Sequence, residues 1–161
     1  MGDRIRGALF NTLGDIQDLT VLDAFAGTGA LGFEAISRGA RSTLLIEHDT
    51  SAQKTIADNI ALLDVHGQVQ LVRANCSSWS DNNPNELFDI VLLDPPYDAV
   101  TISLLEKMVQ HTAQDGIVVL SLPGDTSIPE FVDIKNQTVS LQVVSHKLYG
   151  DAQLIFYRRS H

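Results

Sequence analysis

The run Val21-Leu22-Asp23-Ala24-Phe25-Ala26-Gly27-Thr28-Gly29-Ala30-Leu31-Gly32 constrains the fold more than any other stretch of the chain. A short apolar strand passes into a glycine loop. The loop in turn opens a helical pattern over residues 30–38 that Gly39 closes. Gly27, Gly29 and Gly32 have the G-x-G-x-x-G spacing of a phosphate- or nucleoside-binding β-loop-α unit. A single such unit cannot bury both faces of its strand, so further units must lie beside it.

They follow in order. Residues 43–46, 69–72 and 88–93 read as strands two to four, and residues 117–122, introduced by Gly116, as strand five. Thr50 is placed to cap a helix whose Ile56, Ile60 and Leu63 share a face, and Leu104, Leu105, Met108 and Val109 recur at helical spacing within residues 101–111. After Pro123 the pattern changes to two strand-like runs, 139–148 and 152–157, joined by the hairpin signal Tyr149-Gly150-Asp151. The expected fold class is therefore α/β: a Rossmann-like, doubly wound, mainly parallel seven-stranded sheet with a C-terminal antiparallel hairpin. The polar stretch Ser80-Asp81-Asn82-Asn83-Pro84-Asn85 reads as a surface loop, and residues 1–161 as one domain.

Composition narrows the setting. No apolar run approaches the roughly 20 residues that span a bilayer. The opening MGDRIRGALFNTLG has no apolar core with a cleavage site, so it does not read as a secretory signal. The one cysteine, Cys76, permits no intramolecular disulfide and suits a reducing compartment; the expectation is a cytoplasmic monomer. A formal charge of −9 argues against a protein that grips nucleic acid through a broad basic surface, although Arg4 with Arg6, Arg38 with Arg41, and Arg158 with Arg159 form local pairs. His48, His66, His111, His146 and His161 are scattered without the spacing of a metal site, and none is expected.

Two acidic residues qualify the glycine loop. Glu47, 20 residues after Gly27, ends strand two where a carboxylate can accept hydrogen bonds from both ribose hydroxyls of an adenosine, which suits NAD and S-adenosylmethionine equally. Asp23 separates them. A pyrophosphate over the loop would be repelled by this carboxylate, by about 4 kcal/mol per pair of unit charges at ~4 Å and an effective dielectric near 20. The sulfonium and ammonium groups of S-adenosylmethionine would be attracted to it.

Asp94-Pro95-Pro96-Tyr97 follows the most apolar strand and so belongs on the same rim as the glycine loop. Two successive prolines fix an extended backbone that offers carbonyls and no N–H donors. If Asp94 and the Pro95 carbonyl both accept hydrogens from an exocyclic amine, the nitrogen lone pair is turned out of the ring system toward a methyl donor. Tyr97 can stack on the base, a contact worth about 1–3 kcal/mol. Rate then comes from positioning and electrostatics, without a covalent intermediate.

With these motifs in view, the chain resembles the bacterial 16S rRNA guanine-966 N2-methyltransferase family along nearly its whole length. Asp3-Arg4-Ile5-Arg6 and Ala8-Leu9-Phe10-Asn11 are similar to the family's opening D-R-V-R-E-x-L-F-N. Residues 23–32 match D-x-F-A-G-[ST]-G-A-L-G, and Glu34-Ala35 with Ser37-Arg38-Gly39-Ala40 match E-A-x-S-R-G-A. The resemblance implies S-adenosylmethionine contacts at Asp23, Phe25, Gly27, Gly29 and Glu47; Ala26, within the loop, and His48, which follows Glu47 and would lie near the adenine, are expected beside them. It places Asn75 against the adenine amino group, with the Cys76 N–H toward the ring. Asp94, Pro95 and Tyr97 would handle the target amine, with Pro96 between them as part of the same catalytic run; apart from the resemblance, Arg4, Arg6 and Lys147 are expected to touch phosphate. The implied partner is 16S rRNA or the assembling small ribosomal subunit. The chain departs from the family at Gly7, where a glutamate is usual, and lacks the basic stretch with an R-P-T run that usually precedes this opening. Other readings of the same residues are a DNA or small-molecule amino-methyltransferase, an NAD-dependent oxidoreductase, and a non-catalytic ribosome-assembly factor.

Overall fold

The computed structural model describes residues 1–98 and 100–160, so His161 lies outside the described residues. Seven strands form one sheet in the order β3-β2-β1-β4-β5-β7-β6. β1 (Thr20–Asp23), β2 (Ser42–Glu47), β3 (Val69–Arg73), β4 (Phe88–Leu93) and β5 (Thr112–Pro123) are parallel. β7 (Ala152–Arg159) pairs antiparallel with β5 on one side and with β6 (Leu141–Tyr149) on the other. This is the doubly wound sheet with a terminal hairpin expected above. The chain enters at β1, winds outward to β3 and returns to β4, so the carboxyl ends of β1 and β4 part at a switch point and leave a crevice.

Period-two alternation divides the core between the two faces of the sheet. On one face, α1 (Asp3–Leu13), α2 (Ala30–Ser37) and α3 (Thr50–Leu63) cover Val21, Leu45, Ile90, Leu92 and Val119, with Leu9, Phe10, Leu31, Ala35, Ile56 and Ile60 filling the space between. On the other, α4 (Cys76–Asn82), α5 (Ile102–Val109) and the chain through Phe131 and the turn α6 (Ile134–Gln137) cover Leu22, Val91, Leu93, Val118 and Leu120. No helix among the described residues is long and apolar enough to cross a membrane.

Several local expectations are corrected. Asp49, not Thr50, caps α3, its carboxylate accepting the Ala52 N–H at 2.9 Å. Leu63 is exposed because the chain turns back at Asp64, with φ at 54°, and Val65 packs against the α3 cluster instead. The polar stretch from Ser80 is not all loop: α4 runs to Asn82 and buries Ser80. Trp79 holds it down, with ring centroids 6.2 Å from Phe88 and 4.6 Å from His111. β5 begins at Thr112 rather than after Gly116, since Thr112 pairs with Phe88 and Ile117 with Ile90 around an irregularity in between. β6 starts at Leu141, not 139, and the hairpin turn is Gly150-Asp151, with Tyr149 already paired to Ala152.

Candidate active site

The crevice is built from strand ends. β1 delivers Asp23, and the loop beyond it turns through Gly27, at φ 57°, a conformation that favours glycine. Gly32 serves packing: a Cβ there would lie 2.2 Å from Leu45 Cδ2, so its absence lets α2 approach β2. β2 delivers Glu47, nearly buried at 9% exposure. Its Oε1 accepts the Gly27 N–H at 2.7 Å, while Oε2 accepts the N–H groups of His48 and Asp49 at 3.1 and 2.9 Å. The Glu47 carbonyl in turn accepts from Gln53 Nε2 at 2.9 Å. Glu47 therefore ties the glycine loop to the start of α3 before any ligand is considered.

Asp23 is fully buried, and neither carboxylate oxygen has a hydrogen-bond partner of ordinary geometry. Burial pushes its pKa up to about 7, with Asp94 and Glu47 adding to the rise and the Gly32 N–H, in the first turn of α2, opposing it. Asn75 is the N-cap of α4, its Oδ1 accepting the Ser78 N–H at 2.8 Å. Cys76 is the first residue of that helix; burial pushes its thiol up, which suits a wall residue and not a nucleophile. Asp94 follows β4 with its side chain 23% exposed and Oδ2 3.7 Å from the Met1 amine. Pro95 is buried, whereas Pro96 and Tyr97 are exposed. The Tyr97 hydroxyl reaches to 3.5 Å from Ser121 Oγ on β5.

One cavity of about 710 Å³ joins these groups. Phe25, Ala26, Gly27, Glu47, His48, Asn75 and Cys76 line it together with Asp94, Pro95, Pro96, Tyr97 and Arg6. Asp23 and Gly29 are buried behind the wall; Arg4 and Lys147 are exposed outside it. Lys147 still stands at rim height, paired to Leu154, which pairs to Ser121. Thr28, Ile46, Ala74 and Leu104 also line the cavity and were not singled out by sequence. Thr28 was signalled by its place inside the loop. Ile46 and Leu104 carry the same apolar period as core residues, which cannot tell a cavity wall from an interior.

Residues 1–158 match the family described as conserved hypothetical protein 95. The chain belongs to this family. It is 38% identical over 110 residues to "Ribosomal RNA small subunit methyltransferase D" of Buchnera aphidicola subsp. Acyrthosiphon pisum, covering 65% of this chain and 57% of the relative. It is 40% identical over 111 residues to the protein of the same name from Escherichia coli K12, covering 65% and 54%. The aligned part thus spans little more than half the length of either relative. Among solved structures, "Putative methyltransferase yhhF" from Escherichia coli superposes with a TM-score of 0.81 at 29% identity, covering 98% of this chain and 85% of that one. The family's fold is the Rossmann-like methyltransferase sheet with its antiparallel hairpin.

Proposed function

We propose that this chain transfers a methyl group from S-adenosylmethionine to the exocyclic N2 of a guanine in 16S rRNA, in the cytoplasm. The observation that carries the reading is one continuous cavity with a nucleoside-type end at Glu47 and an amine-accepting end at Asp94-Pro95-Pro96-Tyr97. The orphaned carboxylate of Asp23 fits a cofactor bearing cationic sulfonium and ammonium groups, and it opposes a pyrophosphate. The names of the relatives point the same way.

In this reading Glu47, already held by three backbone N–H groups, keeps about one acceptor site, on Oε1, for a ribose hydroxyl. Asn75 and the Cys76 N–H border the adenine, and His48 flanks it at the surface. When bound, the cofactor supplies an electrophilic methyl group on sulfur. Asp94 and the Pro95 carbonyl accept the two hydrogens of the target amine, so that the nitrogen lone pair faces that methyl group. Tyr97 would stack on the base, and Asp94 would take the proton that the amine loses as the N–C bond forms and the sulfur–methyl bond breaks to leave the neutral thioether. Arg4 and Lys147, on the outer surface, meet phosphates.

The test is methyl transfer from labelled S-adenosylmethionine to small-subunit particles lacking the modification, with wild type and Asp94→Ala compared. The expected result is incorporation at a guanine N2 that disappears in Asp94→Ala while cofactor binding persists. Incorporation at an adenine N6, or into DNA alone, would overturn the assignment of substrate.

A further inference from the structure

We propose that Arg6 binds the α-carboxylate of the cofactor's amino-acid tail, in place of the nucleic-acid phosphate that the sequence suggested for it. The proposal rests on the reading of the cavity as a S-adenosylmethionine site. That tail presents an ammonium and a carboxylate together. The cationic groups have Glu47, Asp94 and the buried Asp23 around them, whereas the tail's own carboxylate meets only like charge from those three side chains. A cation or a set of N–H donors is needed to offset that repulsion. Apart from the chain's first amine, Arg6 is the one Arg or Lys among the described residues that line the cavity.

The setting of Arg6 is that of a held ligand group rather than a surface charge. Its side chain is 21% exposed. Nη2 lies 3.1 Å from Asp3 Oδ1 on α1, and Nε lies 3.5 Å from Glu34 Oε1 on α2. Glu34 is itself fixed by Arg38 Nε at 2.9 Å, so the guanidinium is braced between two helices. A guanidinium has five N–H donors in a rigid fork; these contacts leave both hydrogens of Nη1 and one of Nη2 for a bidentate partner. Glu34 sits one helical turn beyond Ala30 and Leu31, which line the cavity at the start of α2. Gly29 gives that start no side-chain cap, so the N–H groups of Ala30 and Leu31 are additional donors to an anion there, that of Gly32 being turned to Asp23. Arg4, two residues earlier, is exposed and makes no ion pair or side-chain hydrogen bond among the described residues. It is the better phosphate contact of the two.

The experiment compares S-adenosylhomocysteine with its decarboxylated analogue, which keeps the adenosine, the thioether and the amine. Binding of both is measured calorimetrically to wild type, Arg6→Lys and Arg6→Met, with melting curves of the unliganded variants alongside. The expected wild type prefers S-adenosylhomocysteine by about tenfold or more, a modest return for a charge-assisted bidentate contact. Arg6→Met loses the preference because its affinity for S-adenosylhomocysteine falls to that for the analogue, which is itself unchanged; Arg6→Lys retains part of it. A full preference in Arg6→Met, with weaker binding of an rRNA fragment, returns Arg6 to phosphate and overturns the proposal. An equal loss for both ligands assigns Arg6 only a bracing part between α1 and α2, and also overturns it. A wild type that binds neither ligand overturns the cofactor reading, and the proposal with it.

Discussion

A carboxylate with no exposed surface and no hydrogen bond of ordinary geometry is costly to ionise, and Asp23, with only the Gly32 N–H to offset its burial, occupies that position beneath the glycine loop. Its titration should be visible in the stability of the unliganded protein. Burial raises the folded pKa from 3.8 to about 7, so the protonated form favours folding. The contribution is fully present below the unfolded pKa and is lost as pH rises through about 7. In urea unfolding between pH 4 and 8, wild type should lose stability relative to Asp23→Asn, by no more than about 4 kcal/mol. Parallel pH profiles for the two proteins would refute the buried ionisation. The presence of an acid at the end of β1 was legible in the sequence, because the strand-loop-helix pattern fixes where Asp23 falls. Its isolation was not. That depends on Gly32 letting α2 lie close against β2, a contact between elements that no local pattern records.

The elements best read from sequence are those whose side chains alternate or recur strongly. β4, with Ile90, Val91, Leu92 and Leu93 all buried, and α5, with Leu105, Met108 and Val109 inward, lie where the pattern put them. α4 was missed because Ser77, Ser78, Ser80, Asp81 and Asn82 favour turns; the helix is held by its Asn75 cap and by Trp79 against Phe88 and His111. α1 was not read from the sequence, although Ile5, Leu9 and Leu13 recur at helical spacing; Leu9 and Phe10 pack with residues of β1, β4 and β7. The start of β5 was misjudged at Gly116, which marks an irregular crossing and not the strand's beginning. A Cβ at Gly116 would lie 2.8 Å from the carbonyl oxygens of both Ala113 and Asp89. Backbone oxygens cannot rotate aside, so Gly116→Ala should cost about 1–3 kcal/mol in urea unfolding. Gly67→Ala, with nothing within 4 Å, serves as the control and should cost less.

For the whole molecule, a net charge of −9 and 11 basic side chains leave little free cation. Lys54, Lys107, Arg38 and Arg6 are paired with acids, and Arg73, Lys135, Arg158 and Arg159 donate to amide or carbonyl oxygens. Among the described residues Arg4, Arg41 and Lys147 make no such contact. With Arg4 and Lys147 as the phosphate contacts, the logarithm of affinity for an rRNA fragment should fall against log salt with a slope of about −1 to −2. Arg4→Ala and Lys147→Ala should each make it shallower by roughly 1, and a slope near −6 would disprove the assignment. The seating of β7 between β5 and β6 has one more consequence, which concerns time. The strands around Glu47 and the glycine loop are joined by crossovers early in the chain. The flank of β5 that carries Ser121, beside Tyr97, stays bare until β7 pairs along it from Ile117 to Pro123. That pairing can form only once the chain through Arg158 has been made, whereas the β1–β2 and β2–β3 pairings need no residue beyond Arg73. During synthesis, then, the strand ends that carry Glu47 and the glycine loop are in place before the flank beside Tyr97 is closed, and on the proposed reading the donor side of the cavity would be complete before the acceptor side.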